Sequence, residues 1–559
     1  MKKLSLFAVA LCGLASANAA ELTPAEALAR LGKSGALRKH AAVDGTRQAL
    51  TPIAELPNLY VFSTGSGYMI LPSDDVAAPL LGYAESGTFD LEANPALAAW
   101  LEFYAAEIEA AVNAGAQAYD EAAADEAEEP ASRVDVAPMI TSQWNQMAPY
   151  NAKCPELSGK RCMTGCVATA MAQVMNFHKW PDVGEGSYSY NWERGGQQLS
   201  ADFSKTEFDW ANMTDTYSSA STDAEIDAVA TLMYTIGVSV NMGYNTNQSG
   251  ATSASVGTAL MRYFKYDKAM RMAERNRYTL DDWTDLIYGE LAAGRPVVYS
   301  GKTKAGGGHE FVCDGYRAED GFFHFNWGWS GVSDGYFALT ALNPAATGVG
   351  GGNGGYNYEQ DAIIGIQKLQ PDSQIQYVMV CAESFTASPA TVGFGEQVTF
   401  GGGFINQSFE NMPGGIKIGV RIRPFVGGAG ATRHMSFTEN RSIPASAGYR
   451  TINVNMPGVM KDGNYVVTPV YMLPGEKEWR QMEAPLNCEG ALKATVADKK
   501  ITFSKYDPEE EKEESGIESI ETAPAAADGA WFTIDGRRLV SKPSVRGIYI
   551  HNGRKLTVK

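Results

Sequence analysis

A cysteine followed by a run of small and apolar residues is the first feature of the sequence that could carry chemistry. The run covers residues 167–175 with helical spacing, and no helix-breaking residue precedes Pro181. We therefore predict a buried helix that begins at or near Cys166, with Thr164 as its N-cap. The positive end of the helix dipole and the free backbone N–H groups favour a thiolate, which is the nucleophilic form. Taken alone, this segment favours a small buried core residue at position 166 over a nucleophile.

A nucleophilic cysteine needs a base, and the chain offers few histidines. They are His40, His178, His309, His324, His434 and His551. The first lies in the N-terminal segment, the last two lie in C-terminal regions, and His178 lies on the Cys166 helix about 18 Å along its axis. His309 follows three glycines, which let a substrate backbone approach, and it begins an alternating strand. The aromatic alternation around His324 favours packing, so we predict His309 as the base.

A base of this kind needs a partner that fixes its tautomer, and Asn326 is the candidate. It begins the segment Asn-Trp-Gly-Trp-Ser-Gly. The side-chain amide can accept a hydrogen bond from the imidazole, while Trp327 shields that bond from water. A Trp-Gly-Trp run is also typical of core packing, and the two interpretations are compatible.

Three blocks in order resemble the streptopain family of papain-like cysteine peptidases. They are TGCVATA from Thr164, GGHEFV from Gly307, and NWGWSGVSDGYF from Asn326, followed by ALNP from Ala341. The glycine-rich stretch 348–355 also fits, and the resemblance covers residues 134–370. Segments that begin at Tyr60, Gly67 and Trp100 are similar to the pro-region of the family.

The resemblance implies a zymogen with broad endopeptidase activity and no metal or organic cofactor. By the family pattern Cys166 is the nucleophile, His309 the base, and Asn326 and Trp327 the supporting pair. Two further elements, Gly308 and the Ser249-Gly250 loop, would line the substrate cleft. The residues before position 134 would block that cleft until they are removed.

The oxyanion hole departs from the family pattern. The resemblance implies a glutamine just upstream of the histidine, where Ser300 stands in this sequence. The backbone N–H of Cys166 can supply one donor, and Ser300 or a residue between Gln143 and Gln146 could supply the second. Losing one such donor lowers a rate by about 10²–10³, so we expect activity to be reduced and not abolished.

The elements that would hold these residues define an α+β fold with additional β domains. Residues 21–133 form the predicted α+β prodomain, with a helix capped by Thr23 and Glu26, a helical stretch over 95–112 and an acidic linker at 120–130. Residues 134–372 form the predicted papain-like peptidase domain. We expect activating cleavage in or just after the linker, around residues 132–136.

The C-terminal third changes character. Short alternating strands between Gly, Pro and Asn turns over residues 375–505 predict an immunoglobulin-like β-sandwich. Cys381 and Cys488 bracket it, either as a disulfide or as two buried thiols. A second acidic linker at 506–528 leads to a small β domain at 529–559, whose Asp-Gly and Asn-Gly turns resemble a type IX secretion sorting domain.

Composition and the N-terminus indicate an exported protein. The net charge of −18 excludes general nucleic-acid binding, and the cysteine spacing does not suggest zinc. Residues 1–20 have the charged start, short apolar core and Ala-Asn-Ala site of a signal peptide. The expected partners are protein or peptide substrates, the chain's own prodomain and a secretion machinery, and the expected location is secreted or attached to the outer surface.

The sequence thus predicts a secreted cysteine endopeptidase that hydrolyses proteins through a Cys166 thioester. Two other functions stay open at this point. One is a surface adhesin on an inactivated peptidase fold, which the altered oxyanion position favours. The other is a different acyl-transfer enzyme on the same fold.

Overall fold

The computed structural model describes residues 20–34, 50–84, 87–119, 133–349, 351–352, 354–508 and 510–511, together with four strand segments between 531 and 558. The predicted signal peptide lies outside the described residues except for its last position, and so does the linker 120–130. None of the helices in these ranges combines the length and hydropathy that a bilayer-spanning segment requires.

The N-terminal unit is a four-stranded antiparallel sheet covered on both faces by helices. Its elements are α1 (Pro24–Lys33), β1 (Thr51–Leu56), β2 (Leu59–Ser63), β3 (Tyr68–Pro72), β4 (Gly82–Ala84) and α2 (Pro95–Asn113). The capping box predicted at Thr23 and Glu26 is present. Leu59, Val61 and Ile70 belong to one apolar cluster with α2, whereas the intervening Tyr60 and Phe62 belong to a second cluster with α1. Alternate residues of a strand face opposite sides, so β2 and β3 read as continuous apolar runs.

The central unit has a helical lobe and a sheet lobe, each with its own apolar core. The helical lobe contains α3 (Cys166–His178), α4 (Asp223–Ser239), α5 (Ser253–Tyr263) and the hairpins β5 (Glu156–Leu157) with β6 (Lys160–Arg161) and β7 (Ser187–Trp192) with β8 (Gln197–Asp202). Residues 167–176 of α3 are all buried. A helix that is buried around its whole circumference is a core helix, which explains the largely apolar run seen in the sequence.

The sheet lobe is a six-stranded antiparallel sheet in the order β13-β12-β11-β10-β14-β9. Its elements are β9 (Arg271–Glu274), α6 (Leu280–Ala292), β10 (Val297–Lys302), β11 (Gly308–Arg317), β12 (Phe322–Asn326), β13 (Gly335–Phe337) and β14 (Tyr358–Ile364). Strand β11 packs against α3 in the other lobe. The start of β11 therefore lies beside the start of α3.

Two antiparallel sheets share one apolar core in the C-terminal third. The first has the strands β15 (Met379–Cys381), β16 (Thr386–Ser388), β18 (Gln397–Asn406) and β21 (Gly448–Asn455). The second has β17 (Thr391–Gly393), β19 (Ile416–Pro424), β20 (Arg433–Glu439), β22 (Gly463–Met472), β23 (Arg480–Gln481), β24 (Leu492–Ala497) and β25 (Lys500–Lys505). Cys381 and Cys488 are both free thiols, so the disulfide alternative is not realised in this structure.

The last strands form a separate four-stranded sheet in the order β27-β26-β28-β29. Their bounds are β26 (Trp531–Thr533), β27 (Arg538–Leu539), β28 (Gly547–His551) and β29 (Arg554–Val558). The predicted α+β class with additional β domains is confirmed by these sheets and helices.

The two-sheet domain is anchored to the helical lobe through Phe409. This side chain is 2% exposed and belongs to the apolar core of that lobe. It packs so closely on Gly257 that a Cβ there would lie 2.3 Å from its ring. The hydroxyl of Thr258 donates to the Phe409 carbonyl at 2.8 Å, and Arg262 forms a two-point ion pair with Glu410 at 2.6 and 2.8 Å.

Replacing Phe409 with alanine is expected to lower the free energy of unfolding by about 3–5 kcal/mol, because it empties a site in a closed core. Urea denaturation followed by the signal of the helical lobe measures this change. The control Val459→Ala truncates a side chain that is 65% exposed, and we expect a change of less than about 0.5 kcal/mol. Equal effects of the two variants would contradict the anchoring role.

Candidate active site

The nucleophile candidate stands at the start of α3. Gly165, and not the predicted Thr164, is the N-cap, and it makes no side-chain capping bond. Its φ of 90° is a conformation that favours glycine, and a Cβ there would lie 2.7 Å from the sulfur of Met242. The hydroxyl of Thr164 instead pairs with that of Thr169 at 3.1 Å. The first N–H groups of the helix are therefore left uncapped by any side chain beside the Cys166 thiol.

Cys166 and His309 line the same cavity, which has a volume of about 680 Å³. Cys166 keeps part of its surface exposed, whereas His309 is buried. The cavity lies between the two lobes and is also lined by Glu102, Phe103 and Ala106 of α2. The N-terminal unit thus covers the place where the two predicted catalytic groups meet.

The protonation states in this covered form differ from the thiolate expected from the sequence. Burial raises the pKa of Cys166 to about 11, although the backbone N–H groups of Glu310 and Val167 oppose the change. Burial also lowers the pKa of His309 to about 4, against the effect of the Trp327 carbonyl. Desolvation outweighs the helix dipole here, so thiol and imidazole are both neutral at pH 7.

The His309 ring is fixed by a backbone carbonyl. Its Nε2 lies 2.9 Å from the carbonyl oxygen of Trp327, and the ring stacks on Trp329 with centroids 4.5 Å apart. A carbonyl can only accept, so the neutral ring carries its proton on Nε2. The other nitrogen, Nδ1, is buried without a hydrogen-bond partner. This tautomer leaves Nδ1 available as a base.

Asn326 does not orient His309 through its side chain, as the sequence predicted. Its Oδ1 accepts from Nε2 of Gln173 at 2.9 Å and from the N–H of Gly328 at 3.0 Å, and its Nδ2 donates to the carbonyl of Ser142 at 2.9 Å. Both polar atoms of the amide are thus hydrogen-bonded within a buried network. The physical reason is position: Asn326 ends β12 and ties it to α3, and the next residue presents its carbonyl to the histidine.

Gln173 is the residue of this network that the sequence interpretation missed. It lies on α3, seven residues after Cys166, and its Oε1 also accepts from the hydroxyl of Ser142 and the N–H of Trp144, both at 3.2 Å. It is fully buried. A single glutamine within the apolar run 167–175 was the available signal, because a buried amide requires partners.

Trp327 contributes both its carbonyl and its ring to the site. Its indole is fully buried, donates to the carbonyl of Ser333 at 3.0 Å and packs on Phe311 and Trp329. Its backbone N–H donates to Asp334 at 2.9 Å. These contacts hold the peptide unit whose carbonyl accepts from His309.

The two predicted cleft residues, Ser249 and Gly308, both line the cavity. Ser249 is 1% exposed, and its hydroxyl accepts from the N–H of Asn245 and donates to the carbonyl of Met163. It therefore holds the 245–250 loop against the segment that leads into Cys166. Gly308 is exposed at the start of β11.

The candidates for the second oxyanion donor differ in the groups that they contact. Gln146 donates its amide to the carbonyl of Val349 at 2.8 Å, and Gln143 lies against Gly331. Ser300 lines the cavity, and its hydroxyl is hydrogen-bonded to Asp361. Gln146 and Ser300 thus have partners away from the thiol, and the second donor stays a prediction.

The other two histidines of the central unit pack away from this site. Nδ1 of His324 lies 2.6 Å from Asp314, and Nδ1 of His178 lies 3.1 Å from the hydroxyl of Tyr266. A helix-start thiol and an imidazole with one free nitrogen in a shared cleft are the features of a cysteine-nucleophile hydrolase.

Comparison with known proteins narrows this class. Residues 144–337 match the model of the Peptidase C10 family, and residues 28–108 match that of the Spi protease inhibitor. Streptopain from Streptococcus pyogenes is 35% identical over 330 residues, which cover 56% of this chain and 81% of streptopain. The chain belongs to the streptopain family of cysteine peptidases, and the family resemblance seen in the sequence is confirmed.

Other relatives extend the picture. The thiol protease/hemagglutinin PrtT of Porphyromonas gingivalis is 31% identical over 446 residues, which are 76% of this chain and 49% of PrtT. This chain therefore spans about half the length of that relative. Among solved structures, active interpain A of Prevotella intermedia is 38% identical, covering 42% of this chain and 97% of its own, with a TM-score of 0.39. A prointerpain A fragment is 35% identical, covering 58% and 99%, also with a TM-score of 0.39.

Proposed function

We propose that this protein is a secreted cysteine endopeptidase, made as a zymogen, that hydrolyses protein substrates through a Cys166 thioester with His309 as base. The observation that carries the proposal is the hydrogen bond from His309 Nε2 to the Trp327 carbonyl. It leaves Nδ1 unprotonated in the cavity that Cys166 also lines. A base with a fixed tautomer beside a helix-start thiol is what acyl transfer by cysteine requires.

The proposed reaction has two acyl-transfer steps. Nδ1 of His309 takes the thiol proton, and the Cys166 sulfur attacks the peptide carbonyl. The oxyanion is stabilised by the Cys166 backbone N–H at the start of α3. The Nδ1 proton passes to the leaving amine as the C–N bond breaks, which gives a thioester and a free amino terminus. His309 then takes a proton from water, the hydroxide attacks the thioester, and the carboxylate product leaves as the thiol is restored.

Latency in this proposal comes from α2. Glu107 on this helix forms an ion pair with Arg275 at 3.0 Å, with the two side chains 14% and 3% exposed. The guanidinium of Arg275 also packs over the ring of Phe103, with its central carbon 4.9 Å from the ring centroid. Both contacts hold α2 over the cavity and exclude a substrate. The N-terminal unit thus acts as the intramolecular inhibitor, and its removal opens the cleft.

The new N-terminus of the processed protein is expected between residues 119 and 133, which overlaps the 132–136 range predicted from the sequence only at its first two residues. From Arg133 onward the chain is held to the sheet lobe: Arg133 pairs with Asp285 at 2.5 Å, and Val136 exchanges two backbone bonds with Tyr316 at 2.8 Å. A protease needs an extended, free segment, which the chain after 133 does not offer. Mass spectrometry of the processed protein gives the terminus, and a start beyond Val136 would contradict this expectation.

Export and sorting complete the proposal. The charged and apolar pattern of residues 1–20 supports a signal peptide, and the turn motifs of residues 529–559 support a type IX sorting domain removed after transit. Residues 375–505 are proposed to stay with the peptidase because Phe409 anchors them in its core.

Labelling with an epoxide inhibitor of cysteine peptidases tests the function. We expect the processed protein to form one adduct, at Cys166, and to cleave casein at many internal sites. The control is the unprocessed precursor, whose covered thiol should label much more slowly. A processed protein with no adduct and no hydrolysis would support the adhesin alternative, and cleavage of one specific bond only would support a dedicated processing enzyme.

A further inference from the structure

Two acidic side chains, the buried Glu310 and the partly buried Asp361, line the cavity that also contains the thiol. Glu310 directly follows His309 on β11, and its backbone N–H points at the Cys166 sulfur. In the strand register Ser300 on β10 lies opposite Glu310 on one side and opposite Asp361 of β14 on the other. Residues that lie directly opposite in antiparallel strands share a face, so the three side chains form a row across the sheet. All three line the cavity.

The two carboxyl groups have hydrogen-bonding capacity that this chain does not use. Glu310 is 5% exposed, and its Oε2 accepts from the hydroxyl of Ser253 at 2.8 Å. Its Oε1 is buried without a partner, and so is Oδ1 of Asp361. A buried acceptor without a donor destabilises a fold, so its presence at a functional cleft calls for an explanation. The proposed hydrolysis does not use either carboxyl.

The nearby cations do not neutralise the pair. Lys302 lines the cavity but is bound to Glu359 at 2.5 Å. Arg275 also lines it, but its guanidinium donates to Glu107 and to the carbonyl of Tyr278. Burial and the charge of Asp361 raise the pKa of Glu310 above its usual range. Burial and the charge of Glu274 raise the pKa of Asp361 to about 6, against the hydroxyls of Ser300 and Ser253 and the charge of Lys302. An entering positive charge would relieve both effects.

We propose that Glu310 and Asp361 form a subsite for the basic side chain of a peptide substrate, arginine or lysine, close to the scissile bond. The inference rests on the proposed peptidase function. Two acceptor oxygens require a donor with several N–H groups, and a guanidinium or ammonium supplies them as charge-assisted bonds. The cavity walls include Val167, Ala251 and Leu486, which suit the aliphatic stem of such a side chain. Glu310 adjoins the base, so the recognised residue lies within one or two positions of the bond that is cut.

The test uses the processed enzyme and a positional-scanning library of fluorogenic peptides. We expect arginine and lysine to be selected at one position, with kcat/KM about 10–100 times higher than for leucine there. Citrulline has nearly the shape of arginine without its charge, and we expect it to lose most of this advantage. A library with no basic preference at any position, while hydrolysis continues, would overturn the subsite.

Isosteric variants assign the preference to the two residues. Glu310→Gln and Asp361→Asn keep side-chain volume, and we expect each to bring the arginine-to-leucine ratio of kcat/KM down toward one. The control Glu319→Gln, in the exposed turn after β11, should keep the wild-type ratio. A variant that lowers kcat/KM equally for the arginine and the leucine substrate would show a structural role only and would overturn the proposal.

Epoxide labelling of Cys166 separates the two proposals. A processed wild-type protein that labels and hydrolyses peptides without basic preference refutes the subsite alone. A protein that neither labels nor hydrolyses refutes the peptidase function and the subsite together.

Discussion

Alanine at position 166 is expected to lower kcat/KM for peptide hydrolysis on the order of 10⁴- to 10⁶-fold, because it removes the proposed nucleophile that forms the acyl intermediate. The thiol stands at the uncapped start of α3 and lines the same cavity as His309. Removal of the sulfur takes away the attacking atom and leaves only binding and oxyanion stabilisation. Fluorogenic peptide assays at saturating enzyme measure the residual rate.

The comparison needs protein processed in the same way, since an inactive variant does not mature by itself in the proposed scheme. A recognition site for an unrelated protease, placed within residues 120–132, allows identical removal of the N-terminal unit from each variant. Cys381→Ala is the matched control, because it removes a buried thiol in the two-sheet domain. We expect this control to retain activity. Turnover at the wild-type rate by the Cys166 variant would place the nucleophile elsewhere.

His309→Ala tests the base by the same assay, and we expect a loss of about 10²–10⁴-fold in kcat/KM. The Cys166 thiol would still be present but would lack an acceptor for its proton. Raising the pH toward the ordinary pKa of a thiol should restore part of the labelling of Cys166 by a small alkylating reagent in this variant, with Cys166→Ala giving the background from the other thiols. Equal loss of labelling at every pH would contradict the role of His309 as proton acceptor.

Much of the fold was predictable because its signals are local. The alternating strands predicted over residues 375–505 include β19 and β22, where alternation and turn residues point to the same structure. The docking of Phe409 was not predictable, because it depends on a contact between residues 257 and 409 that leaves no periodic trace. Tertiary packing of this kind requires the folded chain.

The site shows the same division between local and non-local information. Cys166 and His309 could be proposed from residue type, helix start and elimination among few histidines. The acceptor for His309 could not, because a backbone carbonyl carries no residue signature, and its direction follows from the chain turn at Gly328, where φ is 69°. The thiolate expectation treated the helix dipole alone, whereas burial of the thiol in the folded chain adds a desolvation that outweighs the dipole.

Alanine at position 326 is expected to lower the free energy of unfolding by about 3 kcal/mol, because it leaves buried groups of Gln173, Gly328 and Ser142 without partners. The same change should lower kcat by about 10–100-fold with a smaller effect on KM, since the Trp327 carbonyl that fixes the His309 tautomer follows directly in the chain. Urea denaturation and steady-state kinetics measure the two effects. Asn440→Ala, which truncates an exposed amide, is the control for both.

A double-mutant cycle with Gln173→Ala shows whether the two amides act together. The Gln173 amide on α3 donates a buried hydrogen bond of 2.9 Å to Asn326 on β12. We therefore expect the loss of unfolding free energy in the double variant to be about 1–2 kcal/mol smaller than the sum of the losses in the single variants. The rate at which iodoacetamide alkylates Cys166, measured where every variant is folded, separates positioning from stability. If the two amides act only on stability, that rate is unchanged. If they also position the site, losing the link between α3 and β12 slows the alkylation, because Nδ1 of His309 is no longer held free to accept the thiol proton.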